Sequence, residues 1–260
     1  MKNIIRTFAV EMIKLRRSKI LLITVCLFIF IPLMMGLLMF LSQHPEMASK
    51  MGIVAAKASF FRENSWDGYF EIINQTVAAI GVIGFGFVTS WVFGREYIEH
   101  TITDLLALPV RRSSIVLAKF IVVLLWCSVL ILVLFFSGLC MGLAIGIPGW
   151  TKEMFSHSMH IFFLTSYLTI LLSTPVAFLA AASRGIIAPI GFVILMLIIA
   201  QLTAVVGWGP YFPWAIPGIF TVPPGTEGMQ IVPASYFVLG ITSLAGFFGT
   251  IAWWCWADQS

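Results

Sequence analysis

Six long apolar runs divide this chain, at about residues 20–41, 72–93, 115–147, 160–183, 186–208 and 234–256. A helix needs about 20 apolar residues to cross the hydrocarbon of a bilayer, and in lipid every backbone polar group must be satisfied within the segment. Each run therefore predicts a spanning helix, and the fold class is an all-α membrane protein with six transmembrane helices in a single domain over 1–260. The third run exceeds what a bilayer needs, since 120–147 holds no charge, and it is expected to tilt or protrude. Only Ser183, Arg184 and Gly185 separate the fourth run from the fifth, which predicts a tight antiparallel hairpin. Pro32 and Pro175 fall inside runs and predict kinks.

The segments between the runs have patterns of their own. Over 3–18, Ile4, Ile5, Phe8, Met12 and Leu15 fall on one helical face and Asn3, Arg6, Thr7, Lys14 and Arg17 on the other. This is the pattern of an interfacial helix lying flat on the inner leaflet with its basic side to the headgroups. Over 95–107, Ile98, Ile102, Leu105 and Leu106 form a stripe among Arg95, Glu96, Glu99, His100, Thr103 and Asp104. That spacing predicts an amphipathic helix of about three turns, ended by Pro109. The loop 209–233 carries Pro210, Pro213, Pro217, Pro223, Pro224 and Pro233 among aromatic residues, so it predicts a broken helical segment on the outer side. Trp208, Tyr211, Phe212, Trp214 and Phe220 suit the outer membrane–water boundary.

Composition agrees with a lipid solvent: 60% of residues are hydrophobic, 10% are charged, and the mean hydropathy is +1.02. Soluble domains carry about 25% charged residues. The placement of charge sets the orientation. With the N-terminus inside, the inner segments hold Lys2, Arg6, Lys14, Arg16, Arg17, Lys19, Arg95, Arg111, Arg112, Lys119 and Arg184, which is 11 of the 15 basic residues. Lys50, Lys57, Arg62 and Lys152 remain outside. The positive-inside rule then puts both termini in the cytoplasm. The first apolar run exceeds the usual 7–15 residues of a signal peptide and reads as a retained helix. Cys26, Cys127, Cys140 and Cys255 all sit in apolar runs, where cysteine serves as a small hydrophobe.

The chain lacks the motifs of the common chemistries. It has no GxxxxGK[ST] phosphate loop, HExxH, CxxC or GxSxG. His157 and His160 stand at i,i+3 spacing near the outer start of the fourth run, but no third metal ligand accompanies them. Every Asp and Glu lies outside the six runs, whereas ion-driven carriers usually place carboxylates in the membrane. Thr24, Ser128, Ser137, Thr169, Ser173, Thr174, Gln201 and Thr203 are the deep polar residues, and all are neutral. A chain of this kind has no energy source of its own, and transport would have to be driven by a partner.

The segment Arg-Glu-x-x-Glu-x-Thr, then Leu-Leu-Ala-Leu-Pro-Val-Arg-Arg and Leu-Ala-Lys, resembles the signature of type-2 ABC exporter (ABC-2 type) permeases. The match falls on Glu96, Glu99, Thr101, Leu105, Leu106, Pro109, Arg112 and Lys119; the small glycine usual near the Thr is absent, and His100 precedes Thr101. The order of elements along the whole chain agrees with that family. The resemblance implies the membrane half of an ATP-driven exporter in a bacterial plasma membrane, paired with itself or a sister permease and with two cytoplasmic ATPase subunits. It also implies that the chain is not itself an enzyme and holds no cofactor, ATP and Mg being bound by the ATPase. Its coupling helix would comprise Glu96, Ile98, Glu99, Thr101, Ile102, Leu105 and Leu106, with Pro109 and Arg112 following. Gln201, Thr203 and Trp208 are the candidates for lining a pathway between protomers. Members of this size resemble bacitracin- and lantibiotic-type export and immunity permeases, which points to a hydrophobic or amphipathic cargo such as a drug or antimicrobial peptide. A lipid-linked cargo, or a membrane scaffold or assembly factor that transports nothing, are the other readings. Besides lipid, no nucleic-acid partner is expected.

Overall fold

The computed structural model describes residues 2–44, 64–107, 110–222 and 230–257. Among these, helices follow one another as α1 (Lys2–Arg17), α2 (Lys19–Gln43), α3 (Trp66–Thr76), a π-helical turn (Val77–Gly81), α4 (Val82–Ile98) and α5 (Ile102–Ala107). Then come α6 (Arg112–Ile145), α7 (Lys152–Leu171), α8 (Ser173–Ala182), α9 (Ile187–Val205), a 3₁₀ turn (Gly209–Tyr211), α10 (Ile216–Ile219) and α11 (Pro233–Trp256). Six helical stretches are long and apolar enough to cross a membrane: α2, α3–α4, α6, α7–α8, α9 and α11. They alternate in direction, so α1, the ends of α4, α8 and α11 and the starts of α6 and α9 gather at one basic end. Trp66, Trp150 and the 209–222 segment gather at the opposite, aromatic end.

The second span, Trp66–Ile98, is longer at both ends than the run 72–93, and the fourth, Lys152–Ala182, begins before residue 160. Local polar groups explain both extensions. Ser65 and Thr151 accept from the backbone N–H of Gly68 and Met154 and so cap α3 and α7 outside the apolar runs. The helix of the fourth span is interrupted at Leu172, three residues before Pro175. There Gly246 of α11 lies directly on the Thr174–Pro175 backbone, and Thr174 Oγ1 donates to the Ser243 carbonyl at 2.7 Å. Small residues let two helices meet at backbone distance, which in lipid substitutes for a hydrophobic driving force.

At the aromatic end, Trp66 lies over Gly142 of α6 and stacks with Phe70 at 5.6 Å and edge-on with Trp150 at 4.9 Å. The buried Tyr69 hydroxyl donates to the Gly138 carbonyl at 3.1 Å. These contacts pin the start of span two to span three. Over 209–222 the chain forms the 3₁₀ turn and α10, and Trp214, Ala215 and Ile216 are buried against Val82, Val193 and Leu239. Pro223 and Pro224 lie outside the described residues, as do Lys50, Lys57 and Arg62 of the loop before span two.

Two sequence expectations need correction here. The stripe over 95–106 is not one helix. Span two continues through Ile98, the chain breaks at Glu99–Thr101 with His100 in the left-handed region at φ +53°, and the short α5 follows. Second, α1 is helical, but Ile5 and Lys14 do not lie on the faces expected of them. Phe8, Met12 and Leu15 pack onto the main core, while Ile5 is 63% exposed and Lys14 turns partly inward. The physical reason is Glu11, the one acidic residue of α1, which is buried and draws the basic residues of three helices around it.

Candidate coupling site and outer groove

A chain with few charges concentrates five of them in one buried cluster at the basic end. Glu11 and Lys14 come from α1, Arg95 and Glu96 from the last turns of α4, and Lys119 from two turns inside α6. Lys119 Nζ is 2.7 Å from Glu96 Oε2 and 3.5 Å from Glu11 Oε2, and donates to the Val92 carbonyl at 2.8 Å. Arg95 reaches Glu11 Oε2 through Nη2 at 3.1 Å and Glu96 Oε1 through Nε at 3.3 Å. Its guanidinium also stacks 4.6 Å from the centre of the Trp91 ring. Lys14 touches both carboxylates, at 3.3 and 3.4 Å, and is the one partly exposed member. A lysine this far inside an apolar helix demands an anionic partner, and shared carboxylates let one partner serve several cations.

The segment after this cluster is anchored to it. The N–H of Glu99 donates to the Arg95 carbonyl at 2.8 Å and that of Thr101 to the Glu96 carbonyl at 3.0 Å. Ile98, Glu99, His100, Thr101, Thr103 and Ala107 are exposed, while Ile102 is buried and Leu105 half-buried against the core. Of the residues assigned to coupling from sequence, Glu96 is therefore turned inward, 1% exposed and held by its own chain. Ile98, Glu99 and Thr101 point outward, and Ile102 and Leu105 root the corner. The exposed Arg112 donates to the Trp254 carbonyl at 3.2 Å, tying the start of α6 to the end of α11. The side chain of Leu106 and all of Pro109 lie outside the described residues.

Sequence reasoning missed Glu11, Lys14 and Arg95 as members of a cluster. One signal was present: Glu11 is the sole acid in a helix otherwise rich in Lys and Arg, on the same face as Phe8 and Leu15.

At the aromatic end a cavity of about 370 Å³ opens between the π-helical turn, α9 and the 209–222 segment. Gln75, Ala78 and Ala79 form one wall, Ala200, Gln201 and Ala204 another, and Trp214, Gly218 and Thr221 close it. Departures from α-helix of this kind recur at functional sites, and here the π turn lies in the cavity wall. Of the sequence candidates, Gln201 lines this cavity and is exposed. Thr203 bonds back to the Ala200 carbonyl at 3.0 Å, and Trp208 is 70% exposed beyond the helix end; neither lines the cavity. Among the described residues no three His, Cys, Asp or Glu side chains come together as a metal site, His157 and His160 included.

Six apolar helical stretches, with a buried charge cluster and an exposed corner at one end, are the architecture of a multi-pass membrane protein. A family model described as ABC-2 family transporter protein matches residues 7–201, and the chain belongs to that family. It is also 26% identical over 178 residues to the Bacitracin transport permease protein BCRB of Bacillus licheniformis, a match covering 68% of this chain and 85% of that one. No solved structure matches it. The protein is thus a membrane-spanning permease of an ABC transporter, a type of subunit without an ATPase domain of its own.

Proposed function

We propose that this permease exports a hydrophobic or amphipathic cargo, in the manner of an antimicrobial-peptide exporter, and is driven by two copies of a separate cytoplasmic ATPase that binds ATP and Mg. The observation that carries the coupling half is the corner Ile98–Thr101: exposed at its tip, yet bonded at its base to the buried charge cluster that ties α1, α4 and α6. A push on that corner is passed to three helices. The basic end then faces the cytoplasm of a bacterial cell, with both termini inside, as the distribution of Lys and Arg supports. Likeness to a bacitracin transport permease supports the cargo class.

The second permease of the complex meets this one along α9. Gln75 and Gln201 are exposed beside the cavity, in a stretch of apolar surface formed by Ile194, Leu195, Ile198 and Leu202. Gln75 Nε2 donates to Glu71 Oε1 at 3.2 Å, and an amide such as that of Gln201 facing hydrocarbon without a partner costs several kcal/mol, roughly 2–7 by transfer measurements, so this face favours a protein neighbour or a water-filled path over lipid. A pathway between protomers would run along it.

Co-expression with its ATPase and purification in mild detergent tests the coupling assignment. Ile98→Asp with Glu99→Lys is expected to abolish stimulation of ATP hydrolysis while leaving the permease folded in the membrane; full stimulation in that variant refutes the assignment. With the native cysteines replaced, cysteine at position 201 is expected to cross-link two permeases in the assembled complex. Cross-linking absent at 201 but efficient elsewhere would move the interface off α9.

A further inference from the structure

The buried cluster is not electrically balanced. Among the described residues Lys14, Arg95 and Lys119 pair with Glu11 and Glu96, which leaves one positive charge in excess in a largely buried cluster. The excess is presented to a cavity of about 710 Å³ at the basic end, between α1, α4 and α5. Lys14 and Arg95 form part of its wall, and Arg17, Ser18, Glu99 and Thr101 surround them. Arg17 and Glu99 offset one another in charge, so the surplus persists in the cavity as a whole. Arg17 is exposed and makes no ion pair among the described residues. The Ser18 oxygen accepts from the Ile20 N–H at 3.1 Å, which leaves its hydroxyl proton for an acceptor in the cavity.

The rest of the wall is apolar: Val10, Leu105 and the half-buried Trp91. From Val10 the cavity continues onto the outward face of α1, where Ile5, Val10 and Ile13 are each at least half exposed beside Arg6, Arg16 and Arg17. An exposed apolar strip with interleaved arginines is the surface a helix presents to the headgroup–acyl boundary, and Trp prefers the same depth. A cationic cavity whose open side continues into such a strip suits a ligand with an anionic head and an apolar tail.

We propose that this cavity binds the phosphate headgroup of one anionic phospholipid, whose charge completes the Glu11–Lys119 cluster. Arginine and hydroxyl donors match phosphate oxygens, and the ligand touches α1, α4 and the corner that follows α4 at once. The lipid site stands independently of the ATPase assignment. Its consequence for coupling, that occupancy stiffens the corner against α1, rests on that assignment.

The test uses the full-length chain in nanodiscs of phosphatidylcholine with or without phosphatidylglycerol, followed by native mass spectrometry during graded delipidation. The wild-type chain is expected to retain one phosphatidylglycerol after phosphatidylcholine is lost. Arg17→Gln is expected to weaken that retention at least tenfold, while Arg6→Gln, an exposed arginine of the same helix outside the cavity, leaves it unchanged. Equal retention of the two lipids, or equal loss in both variants, overturns the proposal, since either reflects only general attraction to a basic surface. Inorganic phosphate is the control probe. If millimolar phosphate displaces the retained lipid or binds equally well in phosphatidylcholine alone, the cavity takes a free anion and the lipid assignment is wrong. ATPase stimulation plays no part in this readout, so failure here leaves the coupling assignment standing, and the reverse also holds.

Discussion

Span two and span five differ more than any other pair in this molecule. In Trp66–Ile98, 72% of the most apolar stretch is buried inside the chain, against 17% in Ile187–Val205. Yet span five is the more apolar, with a mean hydropathy of 2.3 against 1.9. In water the more apolar element would be the more buried. In lipid that ordering has no force, because hydrocarbon solvates Leu and Ile as well as a protein interior does. Close approach and polar partners decide instead. Span two presents Gly84 to Phe28 of α2, Gly86 to Val193 of α9 and Gly94 to the backbone at Gly185, and it ends in Arg95 and Glu96. Span five presents branched side chains and the amide of Gln201 to its surroundings.

The comparison is broken most severely at the charged end of span two. Glu96→Gln would leave Lys14, Arg95 and Lys119 around the single carboxylate of Glu11. Removing one partner from a buried ionic cluster costs about 3–5 kcal/mol, and here the change also raises the surplus of positive charge. The expected result is a large fall in the fraction of protein surviving mild heating as a monodisperse peak in detergent. Adding Lys119→Met removes a cation along with the lost anion and is expected to recover part of the loss. A Glu96→Gln protein as heat-resistant as the wild type would mean that the cluster does not hold α1 to α4 and α6.

A smaller loss is expected from steric change alone. A methyl built on Gly94 would sit 2.6 Å from the Gly185 carbonyl oxygen, a backbone atom that cannot rotate away. Gly94→Val would push the hairpin between spans four and five off span two, at a cost of about 1–3 kcal/mol for overpacking. The same heating assay reads it. Because Gly94 precedes the cluster directly, a loss equal to that of Glu96→Gln would indicate that the substitution also displaces Arg95.

Much of this contrast was legible in the sequence, and part was not. The six spans were readable because each needs only length and low polarity, which lipid imposes locally. That most of the described Lys and Arg gather at one end of the spans was readable from their places between the runs. The break at His100 was not, since Ile98, Ile102 and Leu105 keep helical spacing across it. The helical bond from Glu99 to Arg95 is kept, and past the break the Thr101 N–H returns to the Glu96 carbonyl instead of continuing the helix. Nor was the inward turn of Glu96, which depends on Glu11 84 positions before Arg95 and on Lys119 23 positions after Glu96. Periodicity reports which residues share a face, and long-range charge pairing decides what that face meets. For the groove, Gln201 could be picked out as an amide in an apolar run, whereas Gln75 could not, because the π turn that brings it opposite α9 has no signature of its own.

The smallest effect should come from a glycine on the other span. An added methyl at Gly191 of α9 meets nothing within 4 Å in the single chain. Within one subunit, Gly191→Ala should therefore be neutral or slightly stabilising, because alanine in a helix interior is favoured over glycine by roughly 0.5–1 kcal/mol. The heating assay on the isolated permease should show no loss. In the assembled complex the outcome depends on what covers α9. If lipid covers it near Gly191, the substitution stays neutral there too, since hydrocarbon chains rearrange around a methyl. If a second copy packs at backbone distance, as small residues permit in membranes, the same methyl weakens the pair and leaves the subunit intact. Measuring pair dissociation and subunit melting on one variant thus separates the two meanings of an unburied span. A loss of subunit stability would show that α9 is held inside its own chain more tightly than its exposure indicates.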